Sequence, residues 1–238
     1  MRVVFFGTPE FAVPSLEAML AAGHEVAAVV TQPDRRRGRG QRTTPSPVKA
    51  AATAAGLPVL QPERMRDPNF LFALVDATPA LGVVAAYGRI LPDEILETPA
   101  HGTINVHASL LPDYRGAAPI HRAVMAGETE TGITMIRLVA EMDAGPMLAR
   151  ATQTIGPDDT SEELDRSLAE LGASLLVETL QAVEDGRVRE EEQDHAKATF
   201  APRLTREDSP LNWARPARRL HDQVRGLQPW PLAATYLG

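Results

Sequence analysis

The sequence predicts an α/β fold, a mostly parallel sheet flanked by helices. Three observations predict it: short apolar runs of strand-forming residues recur along the chain, amphipathic helical stretches separate them, and turn residues mark the changeovers. Fully apolar runs of this kind suit strands covered on both faces, as in a parallel sheet.

Val3-Val-Phe-Phe6 reads as the first buried strand, followed by Gly7-Thr-Pro-Glu10 and a helix whose Leu16, Met19 and Leu20 share one face before Gly23. Residues 25–31 form a second strand. The stretch holding Arg35, Arg36, Arg37, Arg39 and Arg42 reads as a loop, and Ser46-Pro47 caps and opens a helix that stops at Gly56. Val59-Leu60 is a short strand, residues 69–77 a helix and residues 81–86 a buried strand. Residues 102–108 differ, because apolar and polar side chains alternate. Strand period two places Thr103, Asn105 and His107 on one side, with Ile104 and Val106 on the other. Residues 131–138 and 147–155 are two further strands joined across residues 140–145. Thr160-Ser-Glu-Glu163 is a capping box opening a long helix with Leu164, Leu168, Leu171 and Leu175 as its stripe, ended by Gly186. Beyond Glu190 the chain turns polar, with one more helix over residues 216–225 and no internal repeats.

Composition narrows the function classes. A chain of 238 residues with 44% apolar content can fill a core, and with no cysteine it has neither disulfides nor thiolate metal sites. The N-terminal apolar run is too short for a signal segment, and no later stretch approaches ~18 apolar residues. A cytoplasmic protein with no membrane contact is expected. The net charge of -7 argues at first against a nucleic-acid partner. Yet residues 158–194 hold thirteen acids against three bases, a local -10, so the rest of the chain carries +3. The five arginines between 35 and 42 offer a polyanion a place to dock.

A parallel sheet opens its ligand crevice beyond the carboxyl ends of its strands. Asn105 and His107 sit near such an end, an amide donor and a titratable imidazole facing the same way, and together they could hold a developing oxyanion. They could equally be ordinary hydrogen-bonded residues at a strand end. Asp143, in Met142-Asp-Ala-Gly145, could approach His107 and set its tautomer or stabilise its charged form. Asp-x-Gly is also common turn chemistry. Met142 reads as core.

The loops Tyr87-Gly-Arg-Ile-Leu-Pro92 and Ser109-Leu-Leu-Pro-Asp-Tyr-Arg-Gly116 follow two strands in the same way. Side by side they could form a slot for a flat heterocycle, or be plain connections. The arginine run suits an RNA backbone or a solvated loop. His24, His101, His121, His195 and His221 show no metal-ligand spacing, so no metal is expected. Gly7-Thr-Pro-Glu10 is not the G-x-G-x-x-G fingerprint, and no Walker A sequence is present.

Taken together, these pieces resemble the methionyl-tRNA formyltransferases. The matching residues are Phe6-Gly-Thr-Pro-Glu-Phe-Ala12, Thr31-Gln-Pro-Asp34 with Gly38-Arg-Gly40, Pro45-Ser-Pro-Val-Lys49, Ala86-Tyr-Gly88 with Leu91-Pro92, Ile104-Asn-Val-His107, Ser109-Leu-Leu-Pro112 with Arg115-Gly-Ala-Ala-Pro119, Met142-Asp-Ala-Gly145 and Pro229-Trp-Pro231. The resemblance implies a Rossmann-like formyltransferase fold and transfer of a formyl group from N10-formyltetrahydrofolate, the co-substrate, to the α-amine of initiator methionyl-tRNA. Asn105 and His107 would bind the formyl oxygen and the tetrahedral oxyanion, while Asp143 orients His107 and helps manage the amine proton. Tyr87, Gly88, Ile90 and Leu91 would line the pterin pocket, Ser109, Leu110, Leu111 and Pro112 would contact the folate, and Arg35, Arg36, Arg37, Arg39 and Arg42 would reach the tRNA acceptor stem.

The resemblance also divides the chain into a catalytic domain over residues 1–190 and an extension over residues 191–238 that starts a linker. Family members continue into a C-terminal β-barrel, which this chain is expected to lack, and a monomer is expected. Three other readings stay open: a sugar-nucleotide N-formyltransferase, whose kind lacks the arginine loop, a hydrolase releasing formate from the same cofactor, and a tRNA- or folate-binding module without turnover.

Overall fold

The computed structural model describes residues 1–37 and 42–235. Along the chain the strands are β1 (Arg2–Gly7), β2 (Glu25–Val30), β3 (Arg35–Arg37), β4 (Arg42–Thr44), β5 (Val59–Leu60), β6 (Leu81–Ala85), β7 (Thr103–His107), β8 (Arg115–Gly116), β9 (Glu130–Arg137), β10 (Met147–Thr154) and β11 (Phe200–Ala201). The helices are α1 (Val13–Ala21), α2 (Pro47–Ala54), α3 (Pro68–Asp76), α4 (Asp93–Leu96), α5 (Pro119–Ala126), α6 (Ser161–Glu184) and α7 (Ala217–Gly226).

Seven strands make the main sheet in the order β10-β9-β7-β6-β1-β2-β5. The five strands β7, β6, β1, β2 and β5 run parallel, as the buried apolar runs of β1, β2 and β6 predict. The last two form an antiparallel edge: β9 pairs with β7, and β10 with β9. Strand order reverses between β1 and β6, so the crevice of such a sheet lies beyond the carboxyl ends of these central strands.

One face packs Val3, Phe5, Val83, Ile104, Val106, Ile133 and Met135 against α1, α2, α5 and the apolar stripe of α6. The capping box holds at the start of α6, where the Thr160 hydroxyl accepts from the Glu163 backbone N–H and the Glu163 carboxylate accepts from Thr160. The opposite face packs Val4, Phe6, Val30 and Val84 against Phe70 and Leu74 of α3 and Ile95 of α4. Leu111, Ile136 and Met147 form a separate small cluster. Asn105 lies in register with Val84 on one neighbour and Ile136 on the other, a polar residue set between two apolar clusters.

The arginine stretch departs from the expected loop. β3 and β4 pair antiparallel, with Arg35 opposite Thr44 and Arg37 opposite Arg42. Three-residue strands carry too little periodicity to be seen in sequence. Arg39 lies outside the described residues. Helix α5 is not legible in sequence either, because the Ala118 cap supplies no side-chain hydrogen bond and eight residues give barely two turns of pattern. Among the described residues, no helix is long and apolar enough to cross a membrane.

Candidate active site

His107 is the last residue of β7, and its ring is buried. Its Nε2–H donates to the Tyr114 carbonyl at 3.1 Å. Its Nδ1 lies 3.6 Å from Oδ2 of Asp143, too long for a hydrogen bond but close enough for the carboxylate to attract an imidazolium, between side chains only 5% and 12% exposed. The same Oδ2 accepts the Gly116 backbone N–H at 2.9 Å, so the oxygen nearest the imidazole is itself anchored. The sequence expectation that a carboxylate approaches His107 therefore holds in space.

Asn105 sits two residues upstream on the same face of β7, roughly 6–7 Å along the strand. Among the described residues, its side-chain amide has no hydrogen-bond partner, and the residue is partly exposed. A neutral N–H donor with nothing to bond to, next to a histidine–aspartate pair at a strand end, suits a site that stabilises a developing negative oxygen. Strand β6 stops one residue past Val84, the register partner of Asn105, so the neighbouring chain leaves the sheet at this level.

The backbone around Asp143 is unusual. Asp143 has φ +50°, a left-handed conformation that costs a non-glycine residue on the order of 1–3 kcal/mol unless its surroundings impose it. Two residues on, Gly145 is required by close packing, since a Cβ there would overlap the Arg137 carbonyl oxygen. Gln193 holds the turn: its Nε2 donates to the carbonyls of Asp143 at 2.9 Å and Gly145 at 2.7 Å. The Gln193 Oε1 accepts in turn from Arg115 Nε at 3.1 Å and Nη2 at 2.6 Å. Met142, read as core, is instead 59% exposed, in the turn beside the left-handed Asp143.

The two expected ligand loops lie beyond β6 and β7. Ser109 and Leu111 are buried: Ser109 Oγ donates to the Asp113 carbonyl, and Thr134 of β9 bridges the Ser109 carbonyl and the Leu111 N–H. Leu110 and Pro112 are partly exposed. In the other loop the Tyr87 ring is a core side chain, packed edge to face on Phe6 with centroids 5.6 Å apart, and burial pushes its phenol up to about 12. Leu91 is buried as well, so the loop presents Gly88 and the 84%-exposed Ile90 outward. The Tyr87 carbonyl accepts from Thr8 Oγ1 and Gln32 Nε2, which ties this loop to the ends of β1 and β2. Across from it, burial and a hydrogen bond to Glu128 hold the Tyr114 phenol well above its ordinary range.

The arginines are separate from this pair of loops in sequence, and Arg35 is exposed, donating to Gln32 Oε1 at 3.1 Å. Sequence reading misses Gln193 altogether. It follows Glu190-Glu-Glu192 in an acidic run with no period or motif, and only the fold shows that it points inward. Among the described residues, no group of three or more histidine and carboxylate side chains could hold a metal ion.

A family model described as formyl transferase matches residues 1–180, and a second, described as formyl transferase, C-terminal domain, matches residues 203–238. A protein from Heliobacterium modesticaldum named methionyl-tRNA formyltransferase is 56% identical over 235 residues, covering 99% of this chain and 74% of its own length. One of the same name from Moorella thermoacetica is 54% identical, covering 99% and 76%. The solved structure of an N-formyltransferase from Helicobacter canadensis, in complex with folinic acid and dTDP-3-aminofucose, has a TM-score of 0.71 at 19% identity, covering 94% of this chain and 79% of its own, a likeness of fold.

Proposed function

Because the chain belongs to the formyl transferase family, in its methionyl-tRNA formyltransferase branch, we propose that this enzyme moves a formyl group from N10-formyltetrahydrofolate to the α-amine of methionyl initiator tRNA. The observation that carries the reading is the Asn105 amide, unpartnered among the described residues, beside the His107–Asp143 pair.

In this reading the amine lone pair attacks the formyl carbon, and the carbonyl electron pair moves onto oxygen. Asn105 donates a hydrogen bond to that oxyanion, and His107, paired with Asp143, supplies the compensating charge. The proton released by the attacking nitrogen passes toward the His107–Asp143 pair. Collapse of the tetrahedral centre breaks the carbon–N10 bond, the His107–Asp143 pair gives the proton on to N10, and N10 leaves as tetrahydrofolate. No covalent enzyme intermediate is needed.

The loop from Gly88 to Ile90 and the partly exposed Leu110 and Pro112 suit the flanks of a slot for the pterin, while Tyr87, Ser109, Leu91 and Leu111 support those flanks from inside. The β3–β4 hairpin carries Arg35, Arg36, Arg37 and Arg42 and suits the phosphates of the acceptor stem. Site, substrates and a cytoplasmic setting agree with one another.

The chain should be incubated with N10-formyltetrahydrofolate and, in parallel, methionyl initiator tRNA, an amino sugar nucleotide, or water alone, while tetrahydrofolate release is followed. Release with the charged tRNA is expected. Turnover with the sugar nucleotide only, or with water only, would overturn the assignment.

A further inference from the structure

Residues 190–201 pass over the back of the site as a strap. Glu191 pairs antiparallel with Met147 through two backbone hydrogen bonds of 2.8 and 2.9 Å. Glu190 pairs with Arg137, and further along β11 runs parallel to β8. Arg115 donates its backbone N–H to Thr199, and Ala117 and Ala118 both donate to Ala201. The strap thus grips both chain segments that meet at His107: the stretch after β7, which carries Tyr114 and Gly116, and the turn that carries Asp143. It falls between the two matched family regions, residues 1–180 and 203–238.

Gln193 is the polar strap residue that enters the interior, 4% exposed. Its amide has only one workable orientation. The oxygen faces the Arg115 guanidinium, which has donors only, and the nitrogen faces two carbonyls, which have acceptors only. Arg115 is 3% exposed, and among the described residues its side-chain partners are Gln193 and Nδ1 of His195 at 3.0 Å, with no carboxylate among them. The guanidinium charge therefore strengthens the hydrogen bonds to Gln193 and fixes the amide in place. Both amide hydrogens go to the backbone of the left-handed Asp143 turn, one to Asp143 itself. The Asp143 Oδ2, which accepts the Gly116 N–H and lies 3.6 Å from His107 Nδ1, is held between the two.

We infer that Gln193, locked by Arg115, is a positioning residue for the formyl-transfer reaction: it holds the strained Asp143 turn so that the carboxylate stays against the His107 imidazole. The inference rests on the function proposed above, and the parent protein tests that reading separately. No catalytic contact by Gln193 is implied.

Gln193→Glu keeps the side-chain length and an acceptor for Arg115 but turns both donors into acceptors facing two carbonyls. Gln193→Met keeps length and burial and removes all four hydrogen bonds. The expected result for each is a kcat lowered about 10- to 100-fold, a KM for N10-formyltetrahydrofolate within about threefold of the parent, and a displaced acid limb in the pH profile of kcat, as follows when a base pair is misaligned rather than removed. Glu192→Gln, an exposed neighbour on the same strap, should behave as the parent. If Gln193→Glu does not fold, Gln193→Met decides. Parent-like kcat and pH profile in a folded Gln193 variant would overturn the inference, as would an equal loss in Glu192→Gln. An inactive parent would count against the proposed function instead.

Discussion

Replacing Asp143 by Asn separates the electrostatic contribution of this residue from its structural one. The Asn carbonyl oxygen can still accept the Gly116 N–H, and the backbone clamp from Gln193 does not involve the side chain. Folding should therefore change by less than about 1 kcal/mol, the usual scale of one altered hydrogen bond. What disappears is a negative charge 3.6 Å from the imidazole. At that separation, with an effective dielectric of ~20, the attraction for an imidazolium is about 5 kcal/mol, or roughly three and a half decades in rate if the transition state uses all of it. Partial solvent access to the carboxylate reduces this, so a kcat loss of about 10²- to 10³-fold is expected. Single-turnover formylation of methionyl initiator tRNA, with saturating N10-formyltetrahydrofolate, measures it, and thermal unfolding of the same sample controls for structure. A variant whose turnover stays within threefold of the parent at unchanged Tm would refute the assigned role of the carboxylate.

Asn105→Ala removes a side chain with no intramolecular hydrogen bond among the described residues, so Tm should hold while kcat falls about 10²- to 10³-fold; a loss of stability matching the loss of rate would instead mark a structural residue. Asp165 on α6 tests pH-dependent stability: burial raises its carboxyl from 3.8 to about 6, so the folded state holds a proton that the unfolded state releases, and stability is lost as pH rises through this window. Asp165→Asn should match the parent near pH 4 and exceed it by about 1–3 kcal/mol above pH 7, read as several degrees of Tm; an identical pair of pH–Tm curves would dismiss the burial penalty. Exchanging Arg35, Arg36 and Arg37 for alanine should raise KM for the tRNA and reduce its log–log salt slope by roughly 0.7–0.9 for each phosphate no longer neutralised, with the folate KM unchanged; an unaltered salt slope would remove this hairpin from the tRNA surface.

Much of the fold follows from local patterns that survive packing. Val3 to Phe6 and Leu81 to Ala85 are apolar throughout because both sheet faces are covered, and Thr160 with Glu163 marks the start of α6 whatever lies around it. Period two alone places Asn105 and His107 on one side of β7. Short pieces escape such reading: β3, β4, β8 and β11 span two or three residues each and exist only because a partner strand supplies their hydrogen bonds. Exposure is also a property of the assembled chain. Tyr87 stands in a loop that sequence reads as pocket-lining, yet its ring lies against Phe6 in the core, and Met142 goes the other way.

By itself the sequence determined the order of the longer strands and of most helices, their caps, and the residue types able to hold an oxyanion and move a proton, since these depend on neighbours a few positions away. Tertiary structure decided the rest. It brought Asp143 across 36 positions to His107, left the Asn105 amide without a partner among the described residues, between two apolar clusters, and turned Gln193 out of an acidic run and into the site. Such meetings depend on the sheet order and on a strap from the far end of the chain, and no local pattern encodes an encounter between segments so far apart.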